Sequence, residues 1–187
     1  MARIVVTEFM SLDGVVEDPG GSEDFKYGGW SFAFERGEGD RFKLDETMAS
    51  EALLLGRVTY QGFADSWPQR EGEFADKFNS MPKYVVSSTL SDPEWTNTHV
   101  VGSDPAEAVS QVAERHEGDV VVHGSVRLAQ ELIERDLVDE LHLMVFPVVL
   151  GAGKRLFGAT TDKKRLSLAE SKIVGDGVAI LVYRAER

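Results

Sequence analysis

Apolar and polar positions along the chain alternate in short blocks that read as strands and helices in turn. Residues 4–9 predict a first strand. Ser11-Leu12-Asp13-Gly14 then makes a turn and opens a glycine-rich stretch to about Gly39. A loop this long in a compact domain is usually functional or mobile. Its aromatic residues, Phe25, Tyr27, Trp30, Phe32 and Phe34, predict that part of it packs down. Helical spacing of Phe42, Leu44 and Met48 predicts a helix over 40–50. A second strand follows at 52–55 and a short helix from Thr59, which Trp67-Pro68 breaks. A further short helix is expected over 71–79 and strands at 83–87 and 99–101. Asp104-Pro105 is a good helix start, with the helix running to about His116. The β-branched run at 119–122 has the character of a buried parallel strand. Leu128, Leu132 and Ile133 mark an amphipathic helix, and 140–149 a long strand. Residues 166–172 and 178–184, separated by Gly175-Asp176-Gly177, predict a C-terminal hairpin. The alternation gives a mixed α/β sheet with some antiparallel edge.

Three of these strands end in small or hydroxylated residues. Gly56-Arg57-Val58-Thr59 joins a strand to a helix, where unpaired amides and the positive end of the helix dipole suit a phosphate. Arg57 adds a forked cation that fits phosphate bidentately. Ser87-Ser88-Thr89 offers three hydroxyls, and Gly124-Ser125 opens another helix. In an open α/β sheet, ligands gather outside the carboxyl ends of parallel strands. Each turn alone also fits a structural role, since glycine and Ser-Ser-Thr are ordinary turn compositions. Together they point to a dinucleotide, although no Gly-x-Gly-x-x-Gly follows the first strand.

At 187 residues the chain is expected to form one domain, 1–187. No apolar run approaches the length of a membrane span, and the N-terminus lacks a signal-peptide layout. The absence of cysteine removes disulfides, thiolate metal sites and cysteine nucleophiles. With four histidines and no close pair, no metal site is expected. A net charge of −12 argues against nucleic acid and anionic lipid as partners and requires a local positive pocket for an anionic cofactor. Cytoplasmic residence is the default expectation.

Several motifs occur in a recognisable order: Ser11-Leu12-Asp13-Gly14; Leu55-Gly56-Arg57-Val58-Thr59-Tyr60; Val86-Ser87-Ser88-Thr89; His123-Gly124-Ser125; Leu137-Val138-Asp139-Glu140-Leu141; and the run from Phe146-Pro147 to Gly153-Lys154-Arg155-Leu156-Phe157. With these the chain resembles, over nearly its whole length, the dihydrofolate reductase-like family that includes the reductase domain of the bifunctional riboflavin-biosynthesis protein. The last two motifs are the most specific, being long and irregular. The resemblance implies a three-layer α/β fold: a mixed, mostly parallel sheet of about eight strands, flanking helices and a C-terminal β-hairpin. It implies NADPH as cofactor, a small heterocyclic substrate and, commonly, a homodimer.

By resemblance, Arg57 and Ser87 or Ser88 face the adenosine 2′-phosphate. The amides at Val58 and Thr59 and at Gly124, Ser125 and Val126 hold the pyrophosphate, with Gly56 at the turn and His123 close to the cofactor. The loop at Leu12-Asp13-Gly14 lies over the nicotinamide and substrate. Asp13 is a candidate to steer a substrate amine, with a loop-holding role as the alternative. Asp40 stands where dihydrofolate reductases place a substrate-binding carboxylate, although its position at a helix start is reason enough for an acid. Trp30 and Phe34 either wall a ring pocket or pack in the core. Two positions depart from the family: His123-Gly124 replaces a glycine pair that is joined by a cis bond in dihydrofolate reductases, and Val122 replaces a glutamate. The leading reading is an NADPH-dependent reductase resembling the phosphoribosylamino-uracil reductase of riboflavin biosynthesis. The alternatives are a dihydrofolate or pterin reductase, and a dimeric nucleotide-binding protein of this fold without turnover.

Overall fold

The computed structural model describes residues 2–186. In chain order the elements are β1 (Arg3–Ser11), a 3₁₀ turn (Trp30–Ala33), α1 (Glu38–Ala49), β2 (Ser50–Gly56), α2 (Arg57–Ser66), a second 3₁₀ turn (Trp67–Gln69), α3 (Glu73–Ser80), β3 (Lys83–Val86), β4 (Thr98–Val100), α4 (Pro105–Ala113), β5 (Asp119–His123), α5 (Val126–Glu134), β6 (Glu140–Phe146), β7 (Leu166–Val174) and β8 (Val178–Ala185). The strands form one sheet in the order β4-β3-β2-β5-β1-β6-β8-β7. Only β8 runs against the others, pairing antiparallel with both β6 and β7. The expected mixed, mostly parallel sheet with a C-terminal hairpin is what the chain forms.

The leucine run of β2 shows why the sheet is a middle layer. Ala52 and Leu54 point to one face and pack with Val120, Val122 and the buried residues of α4 and α5. Leu53 and Leu55 point to the other, against Tyr60 of α2 and Phe78 of α3. A strand buried on both faces has no polar positions to alternate with. Toward β6 and β8 the second face continues as an aromatic cluster around Phe146, with Trp30, Phe9, Phe34 and Phe42.

Two expectations change. β6 stops at Phe146 rather than Val149, because Pro147 has no N–H for the ladder and the Val148 amide turns back to the Phe146 carbonyl (2.8 Å). Trp30, considered as a pocket wall, is a core residue: it is 7% exposed, meets Phe146 edge-to-face at 5.3 Å, and donates its indole N–H to the Glu17 carbonyl (2.9 Å). Phe34 packs on the same Phe146 ring at 5.8 Å. These contacts account for Trp30 and Phe34, while Tyr27 and Phe32 of the same loop stay exposed.

The hairpin carries one irregularity. Leu166, Leu168, Ser171 and Ile173 of β7 stand opposite Ala185, Tyr183, Leu181 and Ala179 of β8, with a register shift between Leu168 and Glu170. Directly opposed residues share a face, and successive odd positions of β8 share one face. All four β7 residues therefore lie on one side, while Glu170 and Lys172 lie on the other. The extra residue at the shift, Ala169, is absorbed as a bulge.

Candidate active site

The turns after β2 and β5 are fastened to each other. The Gly56 N–H donates to Ser125 Oγ at 2.9 Å, and the Ser125 N–H donates to Thr59 Oγ1 at 2.9 Å. Gly124 and Ser125 both have φ 55°, and a Cβ on Gly124 would stand 3.3 Å from Thr59 Cγ2. Glycine is needed there both for the left-handed backbone and for the approach to Thr59. The peptide bond between His123 and Gly124 is trans. Neither α2 nor α5 has a side-chain cap on its first amides. The clasp thus holds two uncapped helix N-termini together, and each is a ready place for an anionic oxygen.

Arg57, Val58 and Ser88 are exposed, and Arg57 Nη1 reaches Gln61 Oε1 at 3.2 Å. Ser87 is different: it is buried, and its Oγ accepts the amides of Thr89 (3.1 Å) and Leu90 (3.0 Å). Its hydroxyl oxygen serves the turn, which leaves Ser88 as the serine open to a ligand. Val126 begins α5. The His123 ring packs edge-on against Phe78 at 5.1 Å, with Nε2 buried and without a partner among the described residues. Burial and the nearby Lys43 charge pull its pKa down to about 3, so the imidazole is neutral.

The two acids expected to act on substrate are spoken for. The Asp13 carboxylate accepts from Ser11 Oγ (2.7 Å), Leu150 N (3.1 Å) and Gly151 N (2.9 Å), and pairs with Arg155. The Ser11 hydrogen bond, then those from the two amides, lower its pKa to about 2. It fastens the loop after β1 to the loop after β6, the structural alternative of the two, and leaves Leu12 exposed beside it. Asp40 is exposed and pairs with Arg36 at 2.8 Å across one helical turn, away from the sheet.

The helix face that does meet the sheet carries Lys43 and Glu46, which sequence reasoning missed. Lys43 Nζ donates to Thr7 Oγ1 on β1 and to Glu46 Oε2. Glu46 Oε1 accepts from His142 Nδ1 (2.7 Å) on β6, and Glu140 Oε2 takes the other ring nitrogen at 3.0 Å. Arg184 and Arg3 close the chain at Glu140 Oε1, at 3.1 and 3.3 Å. Burial pushes Glu46 up, but Lys43 and His142 outweigh it and bring it to about 2. Burial likewise lowers His142, and the hydrogen bonds to Glu46 and Glu140 more than reverse this.

Glu8 on β1 was also missed. It is 4% exposed, its carboxylate takes the Gly124 amide, and its Oε1 has no partner among the described residues. Burial raises its pKa well above the ordinary carboxylate value, against the opposing charge of Lys43. The signal was a polar pair, Thr7-Glu8, inside an otherwise apolar strand.

A groove of about 570 Å³ lies at the far end of the sheet, between Ile133, Leu141, Phe157 and Leu166, away from these strand ends.

The model of the RibD C-terminal domain matches residues 2–180. The uncharacterized Bacillus subtilis protein YwjB is 29% identical over 178 residues, covering 94% of each chain. A candidate riboflavin biosynthesis protein of Shewanella sp. PV-4 shares the fold with a TM-score of 0.77 at 21% identity, over all of both chains. The dihydrofolate reductase of Enterococcus faecalis, solved with NADP(H), shares it with a TM-score of 0.59 at 15% identity, covering 99% of this chain and 97% of that one.

Proposed function

The chain belongs to the RibD C-terminal domain family, and from that premise we propose that it is an NADPH-dependent reductase of a small heterocyclic substrate. The observation that carries the reading is the clasp, in which two uncapped helix N-termini are held side by side by Ser125 and Thr59. The residues present fit a dinucleotide. The amides at Val58, Thr59 and Val126 take the pyrophosphate oxygens, while those of Ser125 and Gly124, taken by Thr59 Oγ1 and Glu8, hold the turn in shape. Arg57 and Ser88 take the adenosine 2′-phosphate, for which a guanidinium fork is suited.

NADPH, when bound, supplies a hydride. Reducing a C=N or C=O group also consumes one proton, and the chain must hold that proton and exclude water. Glu8 is the group we assign to this: burial favours its protonated form, and Oε1 has no competing partner among the described residues. Asp13 keeps the covering loop in place, so that Leu12 presents an apolar side chain at its edge. Asp13, held ionised, and Asp40, turned outward, take no part in proton transfer.

Titration of the purified protein with NADPH and with NADH, followed by fluorescence or calorimetry, tests the cofactor. NADPH is expected to bind, and Arg57→Ala to weaken it about ten-fold or more while leaving NADH unaffected. Absence of binding by either nucleotide would overturn the proposal. Turnover is tested by following NADPH oxidation with dihydrofolate and with the riboflavin-pathway aminopyrimidine. Glu8→Gln is expected to bind NADPH normally and to lose reduction.

A further inference from the structure

Lys83, at the start of β3, is a fully buried lysine outside both the clasp and the ionic cluster. Among the described residues no carboxylate pairs with it. Its Nζ donates to three backbone carbonyls instead: Asn79 (2.9 Å) and Met81 (2.8 Å) at the C-terminal end of α3, and Thr96 (2.9 Å) in the loop that follows β3. The ammonium also lies 4.3 Å from the centroid of the Trp95 ring. Three donors meet three acceptors, the full capacity of an ammonium. The last carbonyls of a helix are a favourable place for a cation. Taking that cation out of water is nonetheless costly.

What the ammonium holds leads to both arms of the candidate nucleotide site. The Trp95 N–H donates to Tyr60 Oη (3.2 Å), and Tyr60 lies one turn after Arg57 in α2. The Trp95 indole N–H donates to Asn79 Oδ1 (2.8 Å), and Asn79 Nδ2 donates to the Trp67 carbonyl (3.1 Å) just past the end of α2. One hub therefore grips α2 near its start and at its end. On the other side, Trp95 and Thr96 belong to the loop 87–97, which begins with Ser87 and Ser88. Ser87 Oγ holds the amides of Thr89 and Leu90, and Leu90 packs in the same cluster as Trp95 and Tyr60. Arg57 and Ser88 stand on two arms that meet at Lys83.

We propose that Lys83 is a positioning residue for the nucleotide: by tying α3 to the loop after β3 it fixes the separation of Arg57 and Ser88, and through it the preference for a 2′-phosphate. The inference rests on the cofactor reading above. Leu53 of β2 and Thr98 of β4 stand beside Lys83 in register, and Tyr60, through Trp95, is the titratable side chain that faces the hub. Burial lowers the pKa of Lys83 to about 8. The neutral amine has two N–H donors for three carbonyls and leaves one without a partner. The two arms then loosen at mildly alkaline pH.

Titration with NADPH and with NADH across about pH 7 to 9.5 tests it. The 2′-phosphate has lost its second proton below this window, so it adds no titration of its own. The ratio of NADPH to NADH affinity is expected to fall about five-fold as pH rises through about 8, with NADH affinity level. Lys83→Met is expected to show the lowered ratio already at neutral pH and no dependence on pH. Tyr60→Phe keeps Lys83 and its carbonyls but cuts the tie to α2, so it should flatten the same profile even where Lys83→Met fails to fold. Absence of binding by both nucleotides at every pH overturns the cofactor reading and this inference with it. NADPH binding whose preference over NADH ignores pH overturns this inference alone. So does a pH profile that Lys83→Met or Tyr60→Phe leaves unchanged.

Discussion

At the ends of β2 and β5 the chain joins two turns through hydroxyls, with Ser125 and Thr59 each taking one amide. Beneath α1 it joins β1 and β6 through charges, with Lys43 and His142 set against Glu46 and Glu140. The charged region looks more like a catalytic centre. Yet its cations and carboxylates answer one another, and the arginines at Glu140 finish the count, so little is left over for a ligand. The hydroxyl clasp satisfies two amides and leaves the first amides of two helices free. Buried ion pairs are costly to break and contribute little when intact, which suits holding a helix in place. The quieter region is the one built to receive something.

Substitutions can break or sharpen this contrast. Glu46→Leu strands a buried ammonium and one side of His142, and is expected to cost about 3–5 kcal/mol in urea unfolding. The fraction that remains folded should bind NADPH within about two-fold of wild type. Adding Lys43→Met should recover most of the loss. A ten-fold loss of affinity in folded Glu46→Leu protein would erase the contrast.

The same cluster should give stability a pH dependence on two sides. His142 has a folded pKa above its ordinary 6.5, so its contribution is complete below about 6.5 and is lost as pH rises through the folded value. Glu46 has a folded pKa below its ordinary 4.5, so its contribution is present above about 4.5 and is lost as pH falls toward about 2. The alkaline slope is at most about 1.4 kcal/mol per pH unit. It should flatten in His142→Gln when unfolding is measured across pH.

At the clasp the balance reverses. Ser125→Ala removes the acceptor of the Gly56 amide and should cost only about 1 kcal/mol of stability, with NADPH binding weakened about ten-fold by the splayed turns. Arg57→Ala should move the unfolding free energy by less than about 0.5 kcal/mol while producing the affinity loss given above. If Ser125→Ala and Arg57→Ala both leave affinity unchanged, the clasp is only a piece of packing.

The strands and the turns that end β2 and β5 were legible in the sequence because their signals are local, whereas the clasp between those turns depends on β2 lying beside β5. Apolar runs ended by Gly56 or Gly124 mark strand ends within a few residues, and the uncapped helix starts follow immediately. The ionic cluster was not legible, since Lys43 and His142 are brought together only by the sheet order that sets β6 beside β1. Along α1, Lys43 and Glu46 look like any solvent-facing pair one turn apart, whereas Asp40 looks like the functional acid. Helix phase decides between them, and it is fixed by Thr7 and His142 on strands far away in the chain. Ser87 misled for a related reason: a hydroxyl in a turn reads the same whether it serves a ligand or two backbone amides.

The bulge at Ala169 has a consequence for the kind of assembly this chain can enter. It works as a frame correction: Leu166 and Leu168 sit at even positions, Ser171 and Ile173 at odd ones, and one absorbed residue brings both pairs into a single stripe. It also twists the outer edge of β7, and twisted edges are poor templates for strand addition. Deleting Ala169 would leave the stripe in frame and straighten the edge, so the same face would remain beside an edge able to recruit strands without limit. One residue therefore makes the outer edge of β7 a poor template for strand addition.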